Sequence, residues 1–157
     1  MSIMESLEIK KKIQEFLNKG IIRPSNSPCG SPIVLVPKKD GNWCMCIDFC
    51  AMNKITVKNR YPLPHIDDFI DQLNHANYFT KLYLRSGYHQ VRIAEEDIWK
   101  TGFNIRQGLY EWLFMPFGLT NAPATFMRVV NDVLRPFVDE FIIFYLDDIL
   151  IFRKSRE

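Results

Sequence analysis

Two adjacent aspartates, Asp147 and Asp148, sit between strongly apolar runs, Phe141 to Phe144 before them and Ile149 to Phe152 after. Paired carboxylates held on rigid strands are what a two-metal phosphoryl-transfer site requires, because two divalent ions a few ångströms apart carry more positive charge than one carboxylate offsets. Oxygen-rich ligation of this kind suits magnesium or manganese. The plainer alternative is a solvated hairpin tip, since Asp is common in turns. Against it stands the lack of any Gly, Asn or Pro in so tight a connection.

Other chemically capable groups have plainer readings. Cys44, Cys46 and Cys50 differ by even steps, so on a single strand they would share a face, and Cys-x-Cys is a poor match to zinc spacing. With Cys29 they are expected to be thiols in an intracellular, reducing compartment. Asp67 and Asp68 fall in the first turn of an expected helix, where the helix dipole favours negative charge. Glu95, Glu96 and Asp97 read as a solvated turn.

The elements that must position these groups follow from periodicity. Ser2 and Glu5 form a capping-box pattern, and Ile9, Ile13, Phe16 and Leu17 follow at helical spacing until Gly20. Arg23 to Pro32 is too punctuated for regular structure. Ile33 to Val36, the turn Lys38-Lys39-Asp40-Gly41, and alternating Trp43, Met45, Ile47 and Phe49 predict a β-hairpin with two lysines at its tip. A helix is expected around Ile66 to Leu73, and a strand over Tyr78 to Leu84. Extended chain should follow over Tyr88 to Ile93, with strands at Lys100 to Ile105 and Leu109 to Phe114. Thr120 or Asn121 is expected to cap a helix to about Phe137. A final strand pair, Glu140 to Leu146 and Ile149 to Arg153, is expected to turn at the two aspartates.

The chain has 157 residues, 47% hydrophobic and 24% charged, with Lys+Arg 20 against Asp+Glu 18 and a net charge of +2. That composition excludes a disordered chain and fits one domain. Its richest apolar run, Phe141 to Phe152, is interrupted by the aspartates and is too short for the roughly 18 residues of a membrane span. The start has neither an apolar signal core nor the composition of a transit peptide.

Four sequence blocks carry a resemblance: Lys54-Ile55-Thr56-Val57-Lys58-Asn59-Arg60-Tyr61-Pro62-Leu63-Pro64, Leu84-Arg85-Ser86-Gly87-Tyr88-His89-Gln90, Met115-Pro116-Phe117-Gly118-Leu119-Thr120-Asn121-Ala122-Pro123-Ala124 and Tyr145-Leu146-Asp147-Asp148. In this order, across nearly the whole chain, they resemble the reverse transcriptase of gypsy-class LTR retrotransposons. The resemblance implies an α+β fold of fingers and partial palm, with an antiparallel sheet packed against helices. Fingers would span about residues 1–60, and a palm with further fingers elements about 61–157. It implies template-directed nucleotidyl transfer on an RNA or DNA primer–template with deoxynucleotides, dependent on Mg2+ or Mn2+. Asp147 and Asp148 would be the catalytic, metal-binding carboxylates. Tyr88 would take the place of the aromatic residue that excludes a ribose 2′-hydroxyl. Phe117 and Gly118 would line the nucleotide pocket, and Lys38 and Lys39 would reach the triphosphate.

The departures from the family pattern matter as much. The third metal-binding carboxylate of the family sits in a Lys-hydrophobic-Asp-Leu strand, where this chain has Lys81-Leu82-Tyr83-Leu84. A phenol, with a pKa of about 10, is neutral at pH 7, so one full negative charge is lost. Cys44 and Cys50 stand where relatives usually have arginine, and Cys29 where they often have tryptophan. Loss of a triphosphate-binding arginine removes a charge-assisted hydrogen bond of about 1.5–3 kcal/mol and is expected to weaken nucleotide binding at least tenfold. The thumb and ribonuclease H of the family are expected to be absent after Glu157. The expected protein is a catalytically defective polymerase homologue. The alternatives are a non-catalytic nucleic-acid-binding or interaction module, whose surface Lys38, Lys39, Lys54, Lys58, Arg60, Arg85, Arg92 and Arg106 would line, and a relic without function. Host compartment, whether nucleus, cytoplasm or plant organelle, and oligomeric state are not specified by these residues.

Overall fold

The computed structural model describes residues 3–37, 43–62, 64–138 and 140–154. Lys38 and Lys39, expected at a hairpin tip, lie outside these residues. The chain divides into two compact units: residues 1–57 with 88–120, and residues 58–87 with 121–157. No helix among the described residues is long and apolar enough to cross a membrane.

In the first unit, helix α1 (Ile3–Asn18) turns Ile9 and Ile13 inward, as the spacing predicts. Strands β1 (Ile22–Pro24), β2 (Ser31–Pro37) and β3 (Trp43–Ile47) precede a short helix α2 (Cys50–Ile55). Strands β5 (Phe103–Ile105) and β6 (Gly108–Trp112) complete a five-stranded sheet ordered β1-β6-β5-β2-β3. The sheet is mixed: β2 runs parallel to β5, and the other pairings are antiparallel. Ile9, Ile13, Ile22, Ile47, Phe49, Phe103 and Trp112 form its buried core.

Four local expectations are corrected here. The punctuated segment 23–32 contributes β1 and the start of β2. The reason lies far away in sequence: Arg23 stands opposite Glu111 in the β1–β6 register, and its Nε donates to the buried Glu111 carboxylate at 2.7 Å, which Ser25 Oγ also donates to. Ladder bonds and an ion pair whose carboxylate is buried outweigh the weak strand preference of a Pro-containing segment. Residues 87–90 form a 3-10 turn in place of extended chain, and residues 95–101 another, which takes in Lys100 and Thr101, expected as strand. Cys50 opens α2, so it does not share a strand face with Cys44 and Cys46.

In the second unit, helix α3 (Ile66–Leu73) carries Asp67 and Asp68 in its first turn, and helix α4 (Ala122–Leu134) has Asn121 at its N-cap. The Asn121 side chain makes no capping bond; its Oδ1 accepts from the Asn59 backbone N–H at 2.9 Å. The helix stops three residues short of Phe137, just ahead of Pro136, which has no backbone N–H with which to continue the helical ladder. Strands β4 (Tyr78–Tyr83), β7 (Ile142–Tyr145) and β8 (Asp148–Arg153) form an antiparallel sheet ordered β4-β8-β7. Phe126, Met127, Ile142, Ile143, Phe144 and Ile149 are buried. All six residues of the edge strand β4 are exposed.

Candidate functional site

The carboxylate pair belongs to the second unit. Tyr145 and Asp148 are partners across β7 and β8, so the connection is Leu146-Asp147 and Asp148 is the first residue of β8. The expected Asp-Asp turn is corrected by one residue. Leu146 adopts φ 52, a left-handed conformation that costs a non-glycine residue of order 1 kcal/mol or more, and its N–H donates to Met127 Sδ at 3.1 Å.

This turn gives two adjacent aspartates different surroundings. Asp147 Oδ1 is buried without a hydrogen-bond partner, and burial, with the neighbouring Asp148 charge adding to it, raises this carboxyl above its ordinary value. Asp148 is half-exposed, and its Oδ1 meets Lys81 Nζ at 3.0 Å. Tyr83 lies directly opposite Asp148 in the β4–β8 register. Residues opposed in this way project from the same face with Cβ atoms about 4.5–5.5 Å apart. Tyr145, opposite Asp148 on the other side, shares that face. Asp148 is therefore flanked by two tyrosines, and Tyr83 is 67% exposed.

Leu84 N–H donates to the Asp147 carbonyl at 2.8 Å, linking the end of β4 to the turn. Gly87 packs beneath: a Cβ there would stand 2.6 Å from Phe126 Cζ and 2.7 Å from Asp147 Oδ1. Gly87→Ala is expected to lower stability by about 1–3 kcal/mol, the usual cost of overpacking. Thermal denaturation checks this, and the same substitution in an Asp147→Ala background should cost less, because one of the two clashes is gone.

The other residues singled out by sequence belong to the first unit. Tyr88 is buried and meets the Phe117 ring edge-on at 4.7 Å, while Phe117 itself is 55% exposed. Gly118 has φ +96, which favours glycine, and a Cβ there would lie 3.4 Å from the Ile47 carbonyl. The sequence reading missed Asn53 of α2. Its Nδ2 donates to Gly118 O at 2.7 Å, and its Oδ1 accepts from the Thr120 N–H at 2.9 Å, clamping the loop that carries Phe117. An Asn immediately before the Lys54 block was the available signal.

His89 was also passed over. Its ring stacks on Trp112 at 5.4 Å and meets the edges of Phe16 and Phe117. Burial, then the Lys19 charge, lowers its pKa from the ordinary value of about 6.5. The unfolded chain therefore takes up the proton more readily than the folded one. Stability from the neutral ring is complete above about 6.5 and is lost as pH falls through the lowered value. An NMR titration should find the His89 midpoint below 6.5, and His89→Phe should flatten the stability profile there.

A family model described as reverse transcriptase (RNA-dependent DNA polymerase) matches residues 36–157. The chain is 46% identical over 154 residues to the retrovirus-related Pol polyprotein from transposon 297 of Drosophila melanogaster, covering 95% of this chain and 14% of that polyprotein. It is 53% identical over 108 residues to an RNA-directed DNA polymerase homolog of Oenothera berteroana, covering 69% of this chain and 76% of that protein. The structure of the foamy viral protease-reverse transcriptase in complex with RNA/DNA hybrid is similar with a TM-score of 0.88 and 26% identity, over 99% of this chain and 21% of that one.

Proposed function

This chain belongs to the reverse transcriptase (RNA-dependent DNA polymerase) family, and we propose that it is a catalytically defective RNA-directed DNA polymerase homologue of retrotransposon origin. In this reading the first unit serves as fingers, with Lys38, Lys39, Tyr88, Phe117 and Gly118 on the nucleotide, and the second as palm. RNA or DNA primer–template and deoxynucleotides are its proposed partners. Asn53 acts as a positioning residue, holding the Phe117-Gly118 loop through two hydrogen bonds. Tyr88 supports Phe117 from beneath, so that an exposed ring stays available to stack on a base or sugar.

The observation that carries the reading is Tyr83 opposite Asp148. The family chemistry depends on divalent metal, which supplies charge stabilisation at the reacting phosphate. The donor set here does not fit a pair of such ions. Among the described residues no three His, Cys, Asp or Glu gather as ligands, Asp148 already pairs with Lys81, and residue 83 offers a phenol. Of Asp147, Asp148 and Tyr83, Asp147 is the one that presents a buried oxygen without a hydrogen-bond partner. Primer extension with Tyr83 and with Tyr83→Asp tests the reading: incorporation by the aspartate form alone supports it, and equal incorporation by both refutes it.

A second reading, a non-catalytic nucleic-acid-binding module, is favoured by the exposed positions of Lys54, Lys58, Arg60, Arg85, Arg92 and Arg106. It requires affinity for single-stranded RNA or DNA that falls steeply with salt, without nucleotide incorporation.

A further inference from the structure

Strand β3 carries two cysteines that the polymerase reading does not use. Cys44 and Cys46 are two residues apart, so both project from one face of the strand, and their sulfurs lie 3.8 Å apart. The opposite face of β3 is committed to the core through Met45 and Ile47. The thiol face is outward: Cys46 is exposed, Cys44 half-buried, and their partners on β2, Val34 and Val36, are each 46% exposed. No disulfide engages either cysteine. β3 is the last strand of its sheet, so the pair stands at an accessible edge.

The separation has a chemical meaning. Two thiolates bound tetrahedrally to zinc, with Zn–S about 2.3 Å and an angle of about 109°, have sulfurs about 3.8 Å apart. The observed spacing, across which the Cys46 S–H donates to Cys44 Sγ, matches the bite of such a chelate. The geometry points to a thiophilic cation site: we propose that Cys44 and Cys46 together chelate a soft divalent ion of the zinc and cadmium class, with water completing its coordination. Thiolates select such ions over magnesium or calcium. Binding converts two S–H groups into two S–metal bonds and releases two protons for each ion, with no change in oxidation state. The valines opposite the sulfurs keep one side of the ion dry.

Cys50 provides an internal control. It lies on α2, its S–H donates to Asp48, and that carboxylate holds the proton on the sulfur, pushing the Cys50 pKa up. It is a poorer metal ligand than the strand pair.

The test is titration of the whole chain, reduced and metal-free, with Cd2+, read by thiolate-to-metal charge-transfer absorbance and by proton release. The expected result is one ion and two protons per chain. Even outer-shell partners of a metal carry 10- to 100-fold in affinity, so losing a direct ligand in Cys44→Ser or Cys46→Ser should weaken binding at least about tenfold. Cys29→Ser and Cys50→Ser should bind as the parent does. A measurement on the unmodified sequence guards against misfolded variants: Cd2+ should protect Cys44 and Cys46, but not Cys50, from alkylation mapped by mass spectrometry. Absence of saturable binding, undiminished affinity in the Cys44→Ser, Cys46→Ser double variant, or equal protection of all the cysteines would overturn the proposal.

Discussion

Replacing Tyr83 by aspartate is expected to raise nucleotide incorporation by at least about 100-fold, in a polypeptide that also carries the downstream segments of the relatives. The size follows from electrostatics. Tyr83 stands opposite Asp148, and exchanging its phenol for a carboxylate adds one negative charge on the face that already carries Asp148. A carboxylate there would help to hold a divalent ion, whose stabilisation of developing charge at a reacting phosphate is worth several kcal/mol, and about 3 kcal/mol corresponds to roughly 100-fold in rate. Lys81, now spanning 3.0 Å to Asp148, would be shared between two carboxylates and could no longer neutralise the whole pair. Tyr83→Asn separates charge from bulk, because it shortens the side chain without adding charge. It should stay at the level of the parent. Activity of Tyr83→Asn equal to that of Tyr83→Asp would sink the electrostatic account, leaving a purely steric obstruction in its place. Because residue 83 is 67% exposed, the substitutions should change stability little.

The largest effect on stability is expected at Phe103. Its ring is fully buried, stacks on Tyr110 at 6.0 Å and tilts against Trp112 at 5.7 Å. It lies where α1, β3 and β6 contribute to one core. Truncation to alanine removes the transfer free energy of the ring and leaves a cavity that rigid strands cannot close. The expected cost is about 3–5 kcal/mol. For a chain of this length that corresponds to a fall in melting temperature of about 6–20 °C, read by calorimetry or circular dichroism. Phe117→Ala provides the contrast. The residue type is the same, but the ring is 55% exposed, so the loss of stability should be under about 1 kcal/mol, with the effect falling on nucleotide binding instead. A Phe103→Ala chain that melts with the parent would show that the first unit does not depend on this core.

Both predictions draw on features that differ in how far local sequence reports them. α1 was legible because a capping pattern and four apolar residues at helical spacing agree with one another. The pairing of β2 with β3 was legible because a β-branched apolar run and an alternating segment flank an Asp-Gly pair in the sequence. The family itself was legible in the four ordered blocks that carry the resemblance, and Tyr83 stood out in the adjoining Lys81-Leu82-Tyr83-Leu84 as a departure from them. These are local signals, set by periods of 3.6 or 2 or by residue types at short spacing.

What the tertiary structure decided depends on partners far apart in the chain. β1 forms from a Pro-containing stretch because Arg23 finds Glu111 88 residues on, and no local propensity carries that information. Asn53 becomes important only when α2 meets the Gly118 loop. The two aspartates divide in the same way. Neighbours in sequence, they fall on either side of the boundary between turn and strand, where Gly87 packs close to one carboxylate and Lys81 reaches the other. Side-chain types and short spacings state which chemistry is available. Burial and charge at each group are sums over everything that packs around it, and those neighbours are chosen only when the chain closes on itself.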